Sequence, residues 1–322
     1  MSKINSHEKK VIVVGSINTD LVVYVDELPQ PGQTISGNQF AEFSGGKGAN
    51  QAVAAVRAGV ETVFLGAVGS DVYGMQRCDD LKREGIDVSG VLVLKNCKSG
   101  IALIEVDKHG ENHVVVISGA NAGFEAEIIS EERLKKCNSA IILFQNEISI
   151  EANFEIIKCL NKVAAQIIWN IAPALTRLPP PDVLDCIDFL IVNETELLSL
   201  CGESLEKNNK KIAELAEKLV EKSLKNLIVT CGSRGSFWTW RDSFSKKPET
   251  FYQEPLSVEA VDSVGAGDCF CGVFAAGMSK HGEVRNALAE ATAASALSVQ
   301  KKGAQAAMPY RSEIDKALLI MH

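Results

Sequence analysis

The chain has 322 residues, 46% of them hydrophobic, with 33 basic and 41 acidic side chains and a formal net charge of −8. A chain of this length buries enough surface to fold without disulfides or a structural metal. Its acidic balance argues against a nucleic-acid binder, whose footprint is a concentrated positive face. Nine cysteines at irregular spacing, with no C-x-x-C pair, predict reduced thiols in a cytoplasmic chain rather than a disulfide or zinc framework. Residues 2–10 are polar and lack a signal peptide's apolar region, and no run approaches the ~18 apolar residues of a membrane span.

Runs rich in Val and Ile at 11–14, 62–68, 140–144, 166–169, 189–192 and 227–230 predict strands covered on both faces, as in a parallel sheet. Between them, amphipathic segments at 49–58, 72–84, 151–163 and 210–223 predict helices; in the last, Ile212, Leu215, Leu219 and Val220 recur at helical spacing. The alternation predicts an α/β fold with helices on both faces of a mostly parallel sheet. Two stretches break the pattern. Residues 21–25 and 34–43, joined through Pro29 and Pro31-Gly32, predict one hairpin, and 100–106 with 112–117 around Lys108-His109-Gly110 predict another. These four strands are expected to form a small separate sheet of the kind that covers a site; the plainer reading extends the main sheet's edge.

The most informative segment is Val261-Asp262-Ser263-Val264-Gly265-Ala266-Gly267-Asp268, a small-residue turn leading into a helix. Unpaired N–H groups at such a helix start form an anion hole suited to a transferring phosphoryl group. Asp268, at its mouth, can accept the proton of a substrate hydroxyl during in-line attack. The ordinary reading is an Asp N-cap after a glycine turn. Ser44-Gly45-Gly46-Lys47-Gly48-Ala49-Asn50-Gln51 is a second glycine-rich turn; it lacks the Walker A spacing. Its backbone and the Asn50 amide suit a polyol, with Lys47 near phosphate, or else it is a plain strand-to-helix turn.

Asn18 and Asp20 follow the first strand, where ligands of α/β sheets bind, unless they form an Asx-turn. Glu147 lies just past the strand at 140–144. Asn193 and Glu196 follow the strand at 189–192; Glu196 suits the ordering of water around a nucleotide's Mg²⁺, although helix starts favour Glu in any case. Thr230, Cys231, Gly232, Ser233, Arg234 and Gly235 follow another strand and suit close approach to phosphate or ribose. All of these fall at predicted strand C-terminal ends. The five histidines show no triad or metal spacing.

Taken together, these residues make the chain resemble the ribokinase-like (PfkB) carbohydrate kinase family over nearly its whole length. Gly45-Gly46-Lys47-Gly48-Ala49-Asn50-Gln51-Ala52 is similar to the family's first signature and 262–268 to its second. Asn193-Glu194-Thr195-Glu196 is similar to its N-x-x-E motif, and Ser118-Gly119-Ala120-Asn121 and Lys302-Gly303-Ala304-Gln305 also match. The resemblance implies a three-layer α/β/α ribokinase-like fold in one domain over 1–322, with lid strands inserted at about 21–43 and 100–118. It implies phosphorylation of D-ribose at the 5-hydroxyl by ATP, with another sugar (2-deoxyribose, fructose) or a nucleoside as alternative acceptor, and a catalytically silent sugar sensor as the alternative of another class. Under it, Asn18, Asp20, Gly46, Lys47, Gly48, Ala49, Asn50 and Glu147 bind the sugar and Asp268 is the base, with Gly265, Ala266 and Gly267 as the anion hole.

On the nucleotide side the resemblance implies Asn193, the 230–235 turn, Gly267 and Thr292 as ATP contacts; Thr292 stands where Asn or His is commoner. Glu196 acts on Mg²⁺ through water. A monovalent cation, usually K⁺, is held by Asp262, Val264, Ser298, Lys301, Gly303 and Ala307. The implied assembly is a homodimer through the lid, with no nucleic-acid or membrane partner. Cys231 and Cys269 fall beside the implied nucleotide site, where thiol modification is expected to inhibit.

Overall fold

A computed structural model describes residues 9–126, 131–203, 208–241 and 247–321. The larger of its two sheets has nine strands in the order β13-β12-β11-β10-β9-β8-β1-β4-β5. These are β1 (Val11–Val14), β4 (Thr62–Gly69), β5 (Asp87–Leu94), β8 (Ile141–Phe144), β9 (Gln166–Asn170), β10 (Phe189–Asn193), β11 (Asn226–Thr230), β12 (Ser236–Trp240) and β13 (Glu249–Gln253). From β11 to β5 every pair is parallel, and the β11–β12 and β12–β13 pairs are antiparallel. All four residues of β1 and of β8 are buried, as the unbroken apolar runs predict for strands covered on both faces.

Side-chain alternation along β1 sorts the core into two layers. Ile12 and Val14 face α4 (Ile150–Leu160), α5 (Pro181–Leu184), α6 (Glu194–Cys201) and α7 (Asn209–Lys222), with α3 (Glu131–Lys136) beside them. Val11 and Val13 face α1 (Lys47–Arg57), α2 (Val72–Arg83), α8 (Ala266–His281), α9 (Val284–Ser298) and α10 (Arg311–Met321). The predicted strands and helices are present within a few residues. Three strands went unpredicted, and each has a local reason. Ser89-Gly90 interrupts the apolar run of β5, while β12 and β13 form a half-exposed edge mixing aromatics with Ser, Thr and Glu.

The second sheet has four strands in the order β3-β2-β6-β7: β2 (Asn18–Tyr24), β3 (Gln39–Gly45), β6 (Gly100–Val106) and β7 (Asn112–Ile117). It is the separate sheet expected, two antiparallel hairpins joined through a parallel β2–β6 pair. The first hairpin's second strand differs: it begins at Gln39 rather than 34 and runs to Gly45, carrying the glycine-rich turn with it. No helix of the described residues is long and apolar enough to cross a membrane.

Candidate active site

Two helices that start at glycine meet in the crevice at the C-terminal ends of β1 and β8. α1 begins after Gly46 (φ 91°) and α8 after Gly265 (φ 75°), and neither start carries a capping side chain. Both backbones are left-handed, which only glycine adopts without strain. A Cβ on Gly46 would lie 2.8 Å from the Asn18 nitrogen, so the turn is pressed against the start of β2. At α8 the Ala266 N–H turns back to the Ser263 carbonyl (3.2 Å), while those of Gly267 and Asp268 find no acceptor among the described residues. A Cβ on Gly267 would meet nothing within 4 Å. Open donors therefore face open space at the positive end of a sixteen-residue helix. The open donors at this helix start are those of Gly267 and Asp268, while that of Ala266 is taken by Ser263.

Asp268 is 7% exposed. Its Oδ2 accepts from Asn50 Nδ2 (2.9 Å) and its Oδ1 from Gln51 Nε2 (3.0 Å). Burial raises its pKa, opposed by the Lys47 charge and by these two amide donors. Lys47 in turn is held strongly protonated, first by Asp268 and then by Glu147 and Glu196. Glu147 Oε2 accepts from Ser16 Oγ (2.6 Å) and from the Lys47 N–H (2.9 Å), tying the β8 end to both glycine-flanked loops. Asp20 reaches over Gly45, where a Cβ would stand 2.3 Å from its carboxylate oxygens. Its pKa is pushed up to about 6 by burial and then by Glu147. Asn18 Oδ1 accepts from Asn121 Nδ2 (2.8 Å), which leaves the Asn18 NH₂ as a donor. The predicted acceptor-side residues and Asp268 are thus brought into one cluster.

Sequence reasoning gave no role to the amides behind that cluster. Gln51 also donates to Asn170 Oδ1 (3.1 Å), Gln145 donates to Gln51 Oε1 (2.7 Å), and Gln305 donates to Asn50 Oδ1 (3.1 Å). This chain fixes which atom each amide turns toward Asp268. The available signal was polar Gln51 opening an otherwise apolar helix face, and Gln305 within a quoted motif.

On the far side of the α8 start lies a cleft of about 410 Å³ lined by Thr230, Gly232, Ser233, Gly235, Gly267 and Thr292, with Pro255–Val258 and Phe270 completing an apolar wall. The Thr292 hydroxyl finds no partner among the described residues. Other nucleotide-side expectations meet structural roles. Asn193 and Glu196 form a reciprocal capping box on α6 (2.8 and 2.7 Å), and burial pushes the Glu196 pKa up to about 7. The Arg234 guanidinium is turned to Glu194 and to Asn209 Oδ1 (2.7 Å), so it braces helices rather than lining the cleft. Cys231 and Cys269 are 4% and 0% exposed, and burial pushes both thiols up to about 12. That overturns the expectation that they are modified: the reactive thiolate is missing and reagents have no access.

Asp262 Oδ1 accepts from Val264 N (3.0 Å) and Oδ2 from Gly303 N (2.8 Å), joining the loop before α8 to the one after α9. Lys301 N bonds the Ser298 carbonyl (3.2 Å), and Ala307 follows in the next turn. The residues of the expected cation site are therefore neighbours, braced by backbone donors. Among the described residues no group of three or more His, Cys, Asp or Glu is placed to hold a metal directly. Mg²⁺ carried on nucleotide phosphates needs no such cage.

A carboxylate at an uncapped helix start, between a polar side-chain cluster and a cleft, fits with this fold a carbohydrate kinase. The chain belongs to the pfkB family carbohydrate kinases, whose model matches residues 8–311. It is 35% identical over 310 residues to a deoxyribokinase of Salmonella typhi, covering 96% of this chain and 98% of that one. It is 32% identical over 305 residues to a ribokinase of Haemophilus influenzae, covering 95% and 97%. The structure of Arabidopsis thaliana ribokinase complexed with ribose and ATP is similar with a TM-score of 0.86 at 32% identity, over 97% of this chain and 99% of that one.

The raised Glu196 pKa carries a stability prediction. Its folded value of about 7 exceeds the ordinary glutamate value of 4.5, so the native state binds the proton more tightly and is penalised once pH rises above both. Glu196→Gln preserves the cap acceptor and removes the charge. It should raise the ligand-free unfolding free energy above about pH 7, by up to roughly 3 kcal/mol, and leave it nearly unchanged near pH 4.5. Calorimetric scans across pH check this; an equal gain at both ends would show that charge is not the cause.

Proposed function

We propose that the chain transfers the γ-phosphoryl group of ATP to the 5-hydroxyl of D-ribose, giving ribose 5-phosphate and ADP. The observation that carries this reading is Asp268, fixed by Asn50 and Gln51 between the polar acceptor cluster and the open N–H groups of α8. Asn18, Asp20, Lys47 and Glu147 would hold the sugar and Gly46, Gly48 and Ala49 would shape its pocket. The 5-hydroxyl proton passes to Asp268 as the oxygen attacks phosphorus, and the bond from phosphorus to the bridging oxygen of ADP breaks. The N–H groups of Gly267 and Asp268 face the charge on the moving phosphoryl group.

The nucleotide would occupy the 410 Å³ cleft, with Thr292 offering its unpartnered hydroxyl. Asp20, Glu147, Glu196 and Asp268 surround Lys47. That excess of negative charge fits Mg²⁺ on the phosphates, with Glu196 acting through its water. When bound, Mg²⁺ supplies charge neutralisation between the phosphates. Nine free thiols fit a cytoplasmic setting.

The Salmonella typhi relative raises 2-deoxyribose as a second reading. The Asn18 NH₂ left free by Asn121 favours ribose, because a sugar lacking a hydroxyl leaves that donor unpaired. ADP release measured over both sugars and fructose should show ribose ahead by about tenfold or more in kcat/KM. Asp268→Asn should cost about 10²–10⁴ in kcat while sugar affinity stays within a few-fold. Turnover that survives the substitution removes Asp268 as the base, and preferred turnover of 2-deoxyribose removes ribose as the acceptor.

K⁺ is proposed at Asp262 with carbonyls of Val264, Ser298, Lys301, Gly303 and Ala307, where it would steady the loop that starts α8. Exchanging Na⁺ for K⁺ at fixed ionic strength should raise kcat; equal rates would remove the site. The small sheet is proposed as a lid and dimer contact, since Phe40, Leu103, Val114, Val115 and Val116 are 46–62% exposed on it. Sedimentation should give twice the chain mass, and Val115→Lys should halve it; a monomeric parent chain would end this reading.

A further inference from the structure

Arg77, in the middle of α2, is a charged side chain only 8% exposed, and nothing so far accounts for it. It does not face its own helix layer alone. Its Nη1 donates to the Phe43 carbonyl of β3 (3.2 Å), its Nη2 lies 3.3 Å from Glu42 Oε1 on the same strand, and its Nε makes an ionic contact with Asp80 Oδ2 at 3.0 Å. Asp80 also accepts from Ser44 Oγ (2.7 Å) and pairs with Arg83 (2.6 Å). One guanidinium and one carboxylate of α2 thus hold three successive residues of β3, Glu42 to Ser44, directly before the Gly45-Gly46 turn. Phe43 is the cross-strand partner of Asp20 on β2, and Gly45 is the residue over which the Asp20 carboxylate lies.

The charges around Asp20 come from several elements. Glu147 beyond β8 and Asp268 on α8 oppose its ionisation, while Lys47 on α1 and Arg77 on α2 favour it. Of the two cations, Lys47 is shared with Asp268, Glu147 and Glu196. Arg77 is linked to Asp20 through Phe43, whose carbonyl it bonds and which pairs with Asp20 across the strands, and it has Glu42 and Asp80 as its own partners.

We propose that Arg77 is a positioning residue for the sugar acceptor: through β3 it fixes the strand against which Asp20 is seated, and it supplies positive charge beside that carboxylate. The proposal rests on Asp20 being a sugar ligand. A carboxylate that accepts sugar hydroxyls must be ionised to take two hydrogen bonds, so loss of a neighbouring cation weakens acceptor binding most at low pH. Loss of the strand anchor weakens it at every pH. Neither effect touches the proton transfer at Asp268, so KM for the sugar should respond and kcat far less.

The test uses the full chain and D-ribose, with calorimetric Kd values and steady-state kinetics between about pH 5.5 and 8.5. Arg77→Met should raise the ribose Kd about tenfold at the acid end and about threefold at the alkaline end, with kcat within about twofold. Arg77→Lys, which keeps the charge but not the fork, should restore the parent's pH profile while keeping the alkaline loss. Arg77→Gln, which keeps a donor for the Phe43 carbonyl, carries the same pH test should the Met variant fail to fold. A Kd unchanged in Arg77→Met, or raised equally at all pH values in both Arg77→Met and Arg77→Gln, overturns the electrostatic role. Asp20→Asn is the control: if it leaves ribose Kd unaltered, Asp20 is not a sugar ligand and the proposal falls with that assignment, whereas a weakened Asp20→Asn beside an unaffected Arg77→Met removes the Arg77 role alone.

Discussion

The structure is arranged around a carboxylate buried where a charge is expensive. Asp268 sits 7% exposed at the third position of α8, and without compensation it would stay protonated. Three things hold it ready to lose that proton: the amides of Asn50 and Gln51, the positive end of α8, and the Lys47 charge. Two of these come from α1, so the site exists only if α1 lies tightly against α8. Gly272 makes that possible, since a Cβ there would stand 2.3 Å from the Gln51 carbonyl. A packing requirement in the helix layer is therefore also a chemical requirement of the site.

The same constraint explains how an acidic chain handles phosphates. Positive potential at the site comes from backbone N–H groups, Lys47 and the nearby Arg77 rather than from an extended basic patch. Four carboxylates surround that lysine, and Asp20 and Glu196 have folded pKa values of about 6 and 7. The ligand-free site thus tends to keep protons that a bound cation would displace. Burial costs stability here and brings these carboxylates into the pH range where a neighbouring charge can change their protonation.

Much of this was legible in the sequence. Continuous apolar runs such as Val11–Val14 and Ile141–Phe144 name strands buried on both faces, and the polar residues that end such strands name the crevice. Asn18, Glu147, Asn50 and Asp268 lie far apart in sequence yet share that edge. Residues whose importance depends on a partner were not legible. Gln145, Asn170 and Gln305 look like ordinary polar side chains until the fold points each at the next. The destination of the Arg234 side chain was not legible either: it lies in the 230–235 turn, but Glu194 and Asn209 take up its guanidinium.

The small sheet is bound to this chemistry by covalent continuity. β2 begins in the crevice with Asn18 and Asp20 and continues as a central strand of that sheet, and β3 ends as the turn that starts α1. Gly100 at the start of β6 leaves the space where the Asn18 and Asn121 side chains meet, 2.2 and 2.3 Å from where a Cβ would be. A rigid displacement of the sheet therefore moves Asn18 and Asp20 with it, whereas α8 is not continuous with either strand. In the proposed reaction, acceptor geometry and phosphoryl stabilisation would fall to different elements. Substitutions in the sheet should consequently alter which hydroxyl reaches Asp268, and substitutions around α8 should alter how readily the phosphoryl group moves.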